Sequence, residues 1–367
     1  MVLKIKRDSF VESLKMTLPY VSGKKVIPVL SNAKCTTKDN RIKIEANDGT
    51  AGIVRYETLE ECDEDGSFLI GVADVLKYVI KLRDEFIRLS IDEQTLTIQH
   101  ETGHADFALC DATEFSSFNI DESEKTEVVV PTSILVDCIN TAKPFVSTET
   151  LRPVMTAIYA YIGNGKFGYC ATDSHVLITN EYDLPDVNGE EKGFKIMPNI
   201  FASLIAKTTS DKCNISFNNT HVQYQLGDTI IQSTMAHGVY PSFRRVIPQS
   251  HSVEGIIDNE TLAKSVERLA IFCESAYQIK MDFDGIDLSL SVNNLDRVKR
   301  SSEKLTMNSC SEHMTIGMNA EGMLTCLKAL PMGEVIIQMT DALRPMVFKT
   351  AEKPNLTIIA MPIAIAE

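Results

Sequence analysis

Thr172-Asp173-Ser174-His175 gathers two hydroxyls, a carboxylate and an imidazole within four residues, the groups that nucleophilic hydrolysis uses. Catalytic sets draw those groups from separated positions, and neighbours on a strand point to opposite faces. The tetrad therefore reads as a polar turn beside an apolar surface, with a hydrolase built on it as the rival reading. His100 and His104 have the four-residue spacing of metal ligands on a helix, but TLTIQHETGHADFAL is strand and turn, so no metal is expected. Gly163-Asn164-Gly165-Lys166-Phe167-Gly168 fits G-x-G-x-x-G, yet a phosphate cradle needs a helix next and KFGYCATD reads as strand. A hairpin turn is expected there. Nine cysteines with no Cys-x-x-Cys pair fit reduced, buried thiols better than disulfides or zinc. With no nucleophile-and-base signature and no cofactor motif, the chain reads as non-catalytic.

The elements that would position any site come in a repeat. An apolar strand end, a breaker or capping residue and an amphipathic helix recur near Leu3, Leu69, Val129, Ile196, Ile256 and Ile316, roughly 60 to 67 residues apart. Each helix is followed by alternating apolar residues around a polar turn, as in RIKIEANDGTAGIVRYE. One helix laid on an antiparallel hairpin or meander is the unit, and six units make an α+β chain. A longer period overlies it: Glu114-Phe115-Ser116-Ser117-Phe118 recurs as Val239-Tyr240-Pro241-Ser242-Phe243, 125 residues on. Two units thus make a domain and three domains the chain, near the common domain size. No stretch is long enough for a membrane span and MVLKIKRDSF has no signal core, so a cytosolic chain is expected.

A formal charge of −14 argues against a nucleic-acid partner unless the charge is unevenly spread, because duplex binding rests on phosphate neutralisation. Basic residues recur in the helices or just past them: Lys15, Lys77, Lys81, Lys143, Lys207, Lys264, Arg268 and Lys328. Acids cluster elsewhere, at Glu60-Glu61-Cys62-Asp63-Glu64-Asp65 and Asp121-Glu122-Ser123-Glu124. An acidic body with a modestly basic helical face is one reading. Solvated lysines favoured by the helix dipole are the other.

At Leu151-Arg152-Pro153, at Ala171-Thr172-Asp173-Ser174-His175-Val176-Leu177, at Tyr240-Pro241-Ser242-Phe243-Arg244-Arg245-Val246-Ile247-Pro248 and at Met361-Pro362-Ile363, the chain resembles bacterial DNA polymerase III beta subunits, the sliding clamps, over essentially its whole length. The resemblance implies three similar DNA-clamp domains, 1–125, 126–250 and 251–367, each of two helix-plus-antiparallel-sheet repeats, in a ring-forming head-to-tail homodimer. Twelve helices at about 9–10 Å between axes give a circumference of roughly 110–120 Å and an opening of roughly 25 Å. A duplex of about 10 Å radius passes through it. The basic helical residues above, with Lys24 in a loop, would face the duplex. The implied function is processivity: DNA is encircled without sequence preference, and no cofactor is used. The implied partners are the alpha subunit of the replicative polymerase, the clamp loader, other polymerases and mismatch-repair or ligase proteins, in the bacterial cytoplasm at the nucleoid and away from membranes. A scaffold that binds protein but not DNA is the alternative.

Carried over by position, a hydrophobic partner-peptide groove would use Met155, Thr172, Ser174, His175, Val176, Leu177, Pro241, Arg245, Val246, Asn319, Leu343, Pro345, Met361, Pro362 and Ile363. This sequence departs from the family pattern there: Ser174 replaces the usual glycine, Val176 stands where arginine is frequent, and Gly322 holds a position often given to a larger side chain. Met197-Pro198-Asn199-Ile200 also lacks the basic residues that often follow this proline. The dimer seam would join an edge strand with Phe107 and Leu109 to Ile271 and Phe272. Acids Glu101 and Asp106 would face Arg297, Lys299, Arg300 and Lys304, which outnumber Asp296 and Glu303.

Overall fold

The computed structural model describes residues 1–21, 28–112, 115–117, 125–198, 210–273, 278–294 and 299–365. All six repeat starts are strands: Val2–Lys6, Ser67–Ile70, Thr126–Pro131, Lys192–Ile196, Val253–Asp258 and Met314–Asn319. Five lead into helices α1 (Arg7–Thr17), α2 (Val72–Val79), α3 (Thr132–Ala142), α4 (Asn259–Ala270) and α5 (Ala320–Ala329). The helix expected after Ile196 lies outside the described residues.

Local chemistry sets the starts of α4 and α5. Asp258 and Asn319 each accept a 2.8 Å hydrogen bond, from the N–H of Thr261 and of Gly322, which satisfies donors a helix start leaves open. Such caps contribute about 1 kcal/mol each. Helices α1 and α2 begin at Lys6 and Gly71 without a side-chain cap and depend on packing. Phe10 with Leu14, and Val75 with Val79, are buried at helical spacing, as are Leu262, Val266 and Leu269 on α4.

The expected hairpins are antiparallel pairs: Arg41–Asn47 with Ala51–Thr58, Thr95–His100 with Gly103–Ala108, and Lys166–Thr172 with Val176–Asp183. The glycine-rich run turns between Ile158–Gly163 and Lys166–Thr172, with Asn164 and Gly165 at φ of 53° and 76°. Those are the left-handed residues of a two-residue hairpin loop.

The chain folds into two compact units, Met1–Leu135 with Asn199–Met235, and Val136–Pro198 with Ala236–Glu367. The first contains a five-stranded and an eight-stranded sheet; the second, a nine-stranded and a five-stranded one. Within the first, Thr229–Thr234 pairs with Ala51–Thr58, so repeats distant in sequence share a sheet. Arg55 braces this seam, its guanidinium donating to Thr229 and to Glu57 at 2.6 Å each. Within the second, Val176–Asp183 pairs with Thr357–Ala360, and Asp137 on α3 accepts hydrogen bonds from Tyr182 and Lys353. All nine cysteines are free and six are buried. Burial pushes the Cys213 thiol up to about 12 and raises Cys35, Cys138, Cys170 and Cys326 as well, leaving them unreactive. No helix among the described residues is long and apolar enough to cross a membrane.

Candidate functional site

Two side chains of the Thr172–His175 tetrad, Thr172 and Asp173, hold its own turn, and Ser174 Oγ donates to Met155 Sδ at 3.6 Å. Thr172 Oγ1 donates to the Val176 carbonyl at 2.7 Å and accepts from Ser174 N at 3.1 Å. Asp173 Oδ1 accepts from the N–H groups of His175 and Val176 at 2.7 and 2.8 Å. Hydroxyl and carboxylate are thereby engaged by backbone, and no base is aimed at a nucleophile. Ser174 has φ of 85°, the left-handed region where glycine is at ease and a serine carries strain. His100 and His104 lie on opposite strands of a hairpin, and Tyr78 Oη meets His100 Nε2 at 2.8 Å.

The turn opens onto a cleft of about 780 Å³ within the second unit. Of the expected groove residues, Met155, Ser174, His175, Val176, Asn319, Met361, Pro362 and Ile363 line it. Thr172 and Leu177 stand behind that lining, Thr172 in the turn and Leu177 in an apolar cluster with Met155, Tyr240, Phe243 and Ile359. Pro241, Arg245, Val246, Leu343 and Pro345 are not part of its wall; Val246 and Leu343 are 48% and 81% exposed. Leu151, Arg152, Met318 and Met323 line the cleft and were not expected to. Leu151 and Arg152 sit in a recognisable motif, whereas Met318 and Met323 reach the wall only because α5 begins there.

Three devices build the far wall. Asn319 fixes the first turn of α5 through Gly322 N. Met361 N donates to the His175 carbonyl at 2.7 Å, and Pro362–Ile363 then pairs with Gly317 and Met318 as an added edge strand. Gly317 permits this, because a Cβ there would come within 2.5 Å of the Ile363 carbonyl oxygen. Two of the family departures also meet: a Cβ on Gly322 would lie 3.1 Å from Val176 Cγ1. The start of α5 is thus packed closely on Val176, and both residues line the cleft.

The Tyr240–Val246 motif is anchored on the near side. Tyr240 stacks on Tyr159 with centroids 5.0 Å apart and planes at 16°, and its hydroxyl donates to the Cys170 carbonyl at 3.3 Å. Arg244 makes two hydrogen bonds to Glu191 at 3.0 and 2.8 Å, with its guanidinium 4.6 Å from the Tyr161 ring centroid. Gly168 and Gly193 make room for the tyrosines, since a Cβ on either would fall 2.2 Å from Tyr161 or Tyr159. Burial raises the Tyr240 and Tyr161 hydroxyls, so both stay neutral.

The basic helical residues divide in two. Lys77, Lys264 and Lys328 pair with Asp74, Glu260 and Glu267 at 3.1, 2.6 and 2.9 Å. Arg268 grips Glu303 through two bonds of 2.7 and 2.6 Å and holds that carboxyl below its usual range. Lys15, Lys81 and Lys143 are exposed and have no ion pair with any described residue. Lys24, Lys207 and Arg297 lie outside the described residues.

Gly103–Ala108, carrying Phe107, is an edge strand of the first unit's five-stranded sheet. Phe107 and Leu109 are half-buried against the core, and Phe107 meets Tyr78 edge-on at 5.8 Å. Lys299–Thr306, carrying Arg300, is an edge strand of the second unit's five-stranded sheet. Ile271, just past α4, is 76% exposed and Phe272 is half-buried.

Among the described residues, strand-helix repeats on antiparallel sheets, with basic residues on the helices and a methionine-lined cleft, fit the class of DNA-clamp proteins. The N-terminal domain of the DNA polymerase III beta subunit matches residues 1–120 and its C-terminal domain residues 244–364. The beta sliding clamp of Staphylococcus aureus is 24% identical, covering 99% of both chains. The crystal structure of the DNA polymerase III subunit beta from Pseudomonas aeruginosa superposes with a TM-score of 0.94 at 18% identity, covering 100% of both chains. The DNA polymerase sliding clamp from Bacillus subtilis does so with 0.90 at 22%, again covering 100% of both. The chain belongs to the DNA polymerase III beta subunit family, the bacterial sliding clamps. Its function is processivity for a DNA polymerase, without catalysis of its own.

Proposed function

We propose that two copies close head to tail into a ring around duplex DNA, each contributing the three domains 1–125, 126–250 and 251–367. The observation that carries this reading is the pair of open edges. Among the described residues, Gly103–Ala108 in one unit and Lys299–Thr306 in the other each pair on one side only, which leaves a row of backbone donors and acceptors for a partner strand. Ile271 beside Phe272, with Phe107 and Leu109 opposite, supplies the apolar centre, and Lys299 and Arg300 face Glu101 and Asp106. Exposed charge pairs contribute only about 0–1 kcal/mol, so the apolar contacts set affinity and the charges set orientation and rate.

An acidic exterior repels DNA while weakly basic helices, Lys15, Lys81 and Lys143 among them, let the duplex slide. The cleft, with Leu177 and Val246 beside it, receives short apolar peptide motifs from the polymerase alpha subunit, the clamp loader, other polymerases and repair or ligase proteins. Methionine suits a wall that adapts to several partners. The site of action is the bacterial cytoplasm. Analytical ultracentrifugation tests the seam: Ile271→Ala with Phe272→Ala yields monomers at micromolar concentration, while Lys299→Glu with Arg300→Glu weakens the dimer mildly. An intact dimer in the double alanine variant overturns the assignment.

A further inference from the structure

The adjacent arginines of the Tyr240–Val246 motif do opposite jobs. Phe243–Arg245 is a single turn of 3-10 helix, closed by Arg245 N to the Ser242 carbonyl and Val246 N to the Phe243 carbonyl at 3.1 Å each. Successive side chains on such a turn project about 120° apart, so the direction of one fixes the next two. Phe243 is buried in the apolar cluster, Arg244 turns back onto Glu191 and Tyr161, and Arg245 is left facing out, while Val246, a full turn after Phe243, is 48% exposed.

The second grip on this segment comes from the same short element. Lys195 Nζ donates to the carbonyls of Ala236 and Gly238 at 2.8 Å each, and partial burial lowers its ammonium pKa. Glu191 directly precedes the strand Lys192–Ile196, which carries Lys195 and forms an edge of the nine-stranded sheet. One edge strand thus holds both ends of the 236–246 segment by polar contacts, and the tyrosine stack fills the space between.

We propose that Arg244 is a positioning residue for the partner groove: bound to Glu191 and Tyr161, it holds the turn whose Tyr240 and Phe243 pack behind Met155, and so turns Arg245, outside the cleft wall, toward the part of the peptide that extends beyond the cleft, without touching the peptide itself. This rests on the groove reading above. A planar guanidinium suits the task because it can pair with a carboxylate through two bonds and lie on an aromatic face at once. A lysine offers only a point charge there.

The test measures binding of a synthetic peptide with a glutamine followed by spaced leucine and phenylalanine, using full-length protein. Arg244→Gln and Glu191→Gln each weaken binding about tenfold, with the dimer and the melting temperature unchanged. The exchange Arg244→Glu with Glu191→Arg recovers much of the loss, as a coupled pair must. Near-ultraviolet circular dichroism of the tyrosines, undisturbed because the chain has no tryptophan, changes in Arg244→Gln and returns in the exchange. Unchanged affinity in Arg244→Gln, while Met361→Glu abolishes binding, overturns the proposal and leaves the groove standing. An affinity loss matched by a lower melting temperature and not recovered by the exchange overturns it too. Full binding in Met361→Glu overturns the groove and the proposal together.

Discussion

In the cleft, Ser174, Val176, Gly322 and Met361 converge from a strained turn, a helix start and a tail strand, each held by named hydrogen bonds. Across the helices, by contrast, Lys77, Lys264, Arg268 and Lys328 are spread apart, and each has a carboxylate of its own within 3.1 Å. The cleft is a built site and the basic surface is a damped one. A wall that must tell one peptide from another needs fixed shape, because specificity is a difference between affinities. A surface that must let DNA pass needs the reverse, since every unscreened cation adds to the salt-dependent hold on phosphate. In the proposed ring, the acids beside Lys77, Lys264, Arg268 and Lys328 keep that hold weak and leave Lys15, Lys81 and Lys143 to supply it.

If the contrast is right, the cleft responds more strongly to one change than the helices do to two. Gly322→Leu drives a larger side chain against Val176 in the cleft lining, where a Cβ already comes within 3.1 Å. Peptide affinity is expected to fall about tenfold and the melting temperature to fall as well, because overpacking costs about 1–3 kcal/mol and exceeds the gain of up to about 1 kcal/mol in helix propensity. Calorimetric titration beside a thermal melt reads both, and binding as tight as in the parent would show that Gly322 and Val176 do not shape the peptide site.

A smaller effect is expected from Lys264→Glu with Arg268→Glu. This breaks the pairs with Glu260 and Glu303 and sets acids beside acids, yet both residues sit on the exposed face of a well-buried helix. Loading onto DNA slows a few-fold at low salt and returns toward the parent rate as salt rises, because exposed charges are screened beyond about 10 Å at 0.1 M. The fold stays intact by circular dichroism. A loss as large as that of Gly322→Leu, persisting at high salt, would make the basic surface a built site after all.

The repeat was legible because each unit carries its own local signal: an apolar strand end, then a helix with apolar residues three and four apart. The turns were legible for the same reason, down to Asn164 and Gly165. The pairing of Thr229–Thr234 with Ala51–Thr58 was not, since strand partners far apart in sequence leave no local mark and any apolar edge looks alike. The motif around Tyr240 stood out as a string, but its division of labour did not. Only the fold brings Glu191 to Arg244 and places Gly168 and Gly193 under the tyrosines. For the basic residues, the sequence shows that Lys264 follows Glu260 by one turn, but only the fold brings Arg268 to Glu303. Leu343 and Pro345, expected in the groove, stand apart from the cleft wall.

A salt challenge separates topological tethering from electrostatic binding. Protein loaded on nicked circular DNA is brought to high salt, and the bound fraction is compared with that on the same DNA cut once. The expected result is retention on the circle and rapid loss from the cut molecule, since a ring leaves an intact circle only by opening. Equal loss from both would show that charge, not topology, holds the DNA, and would contradict the ring.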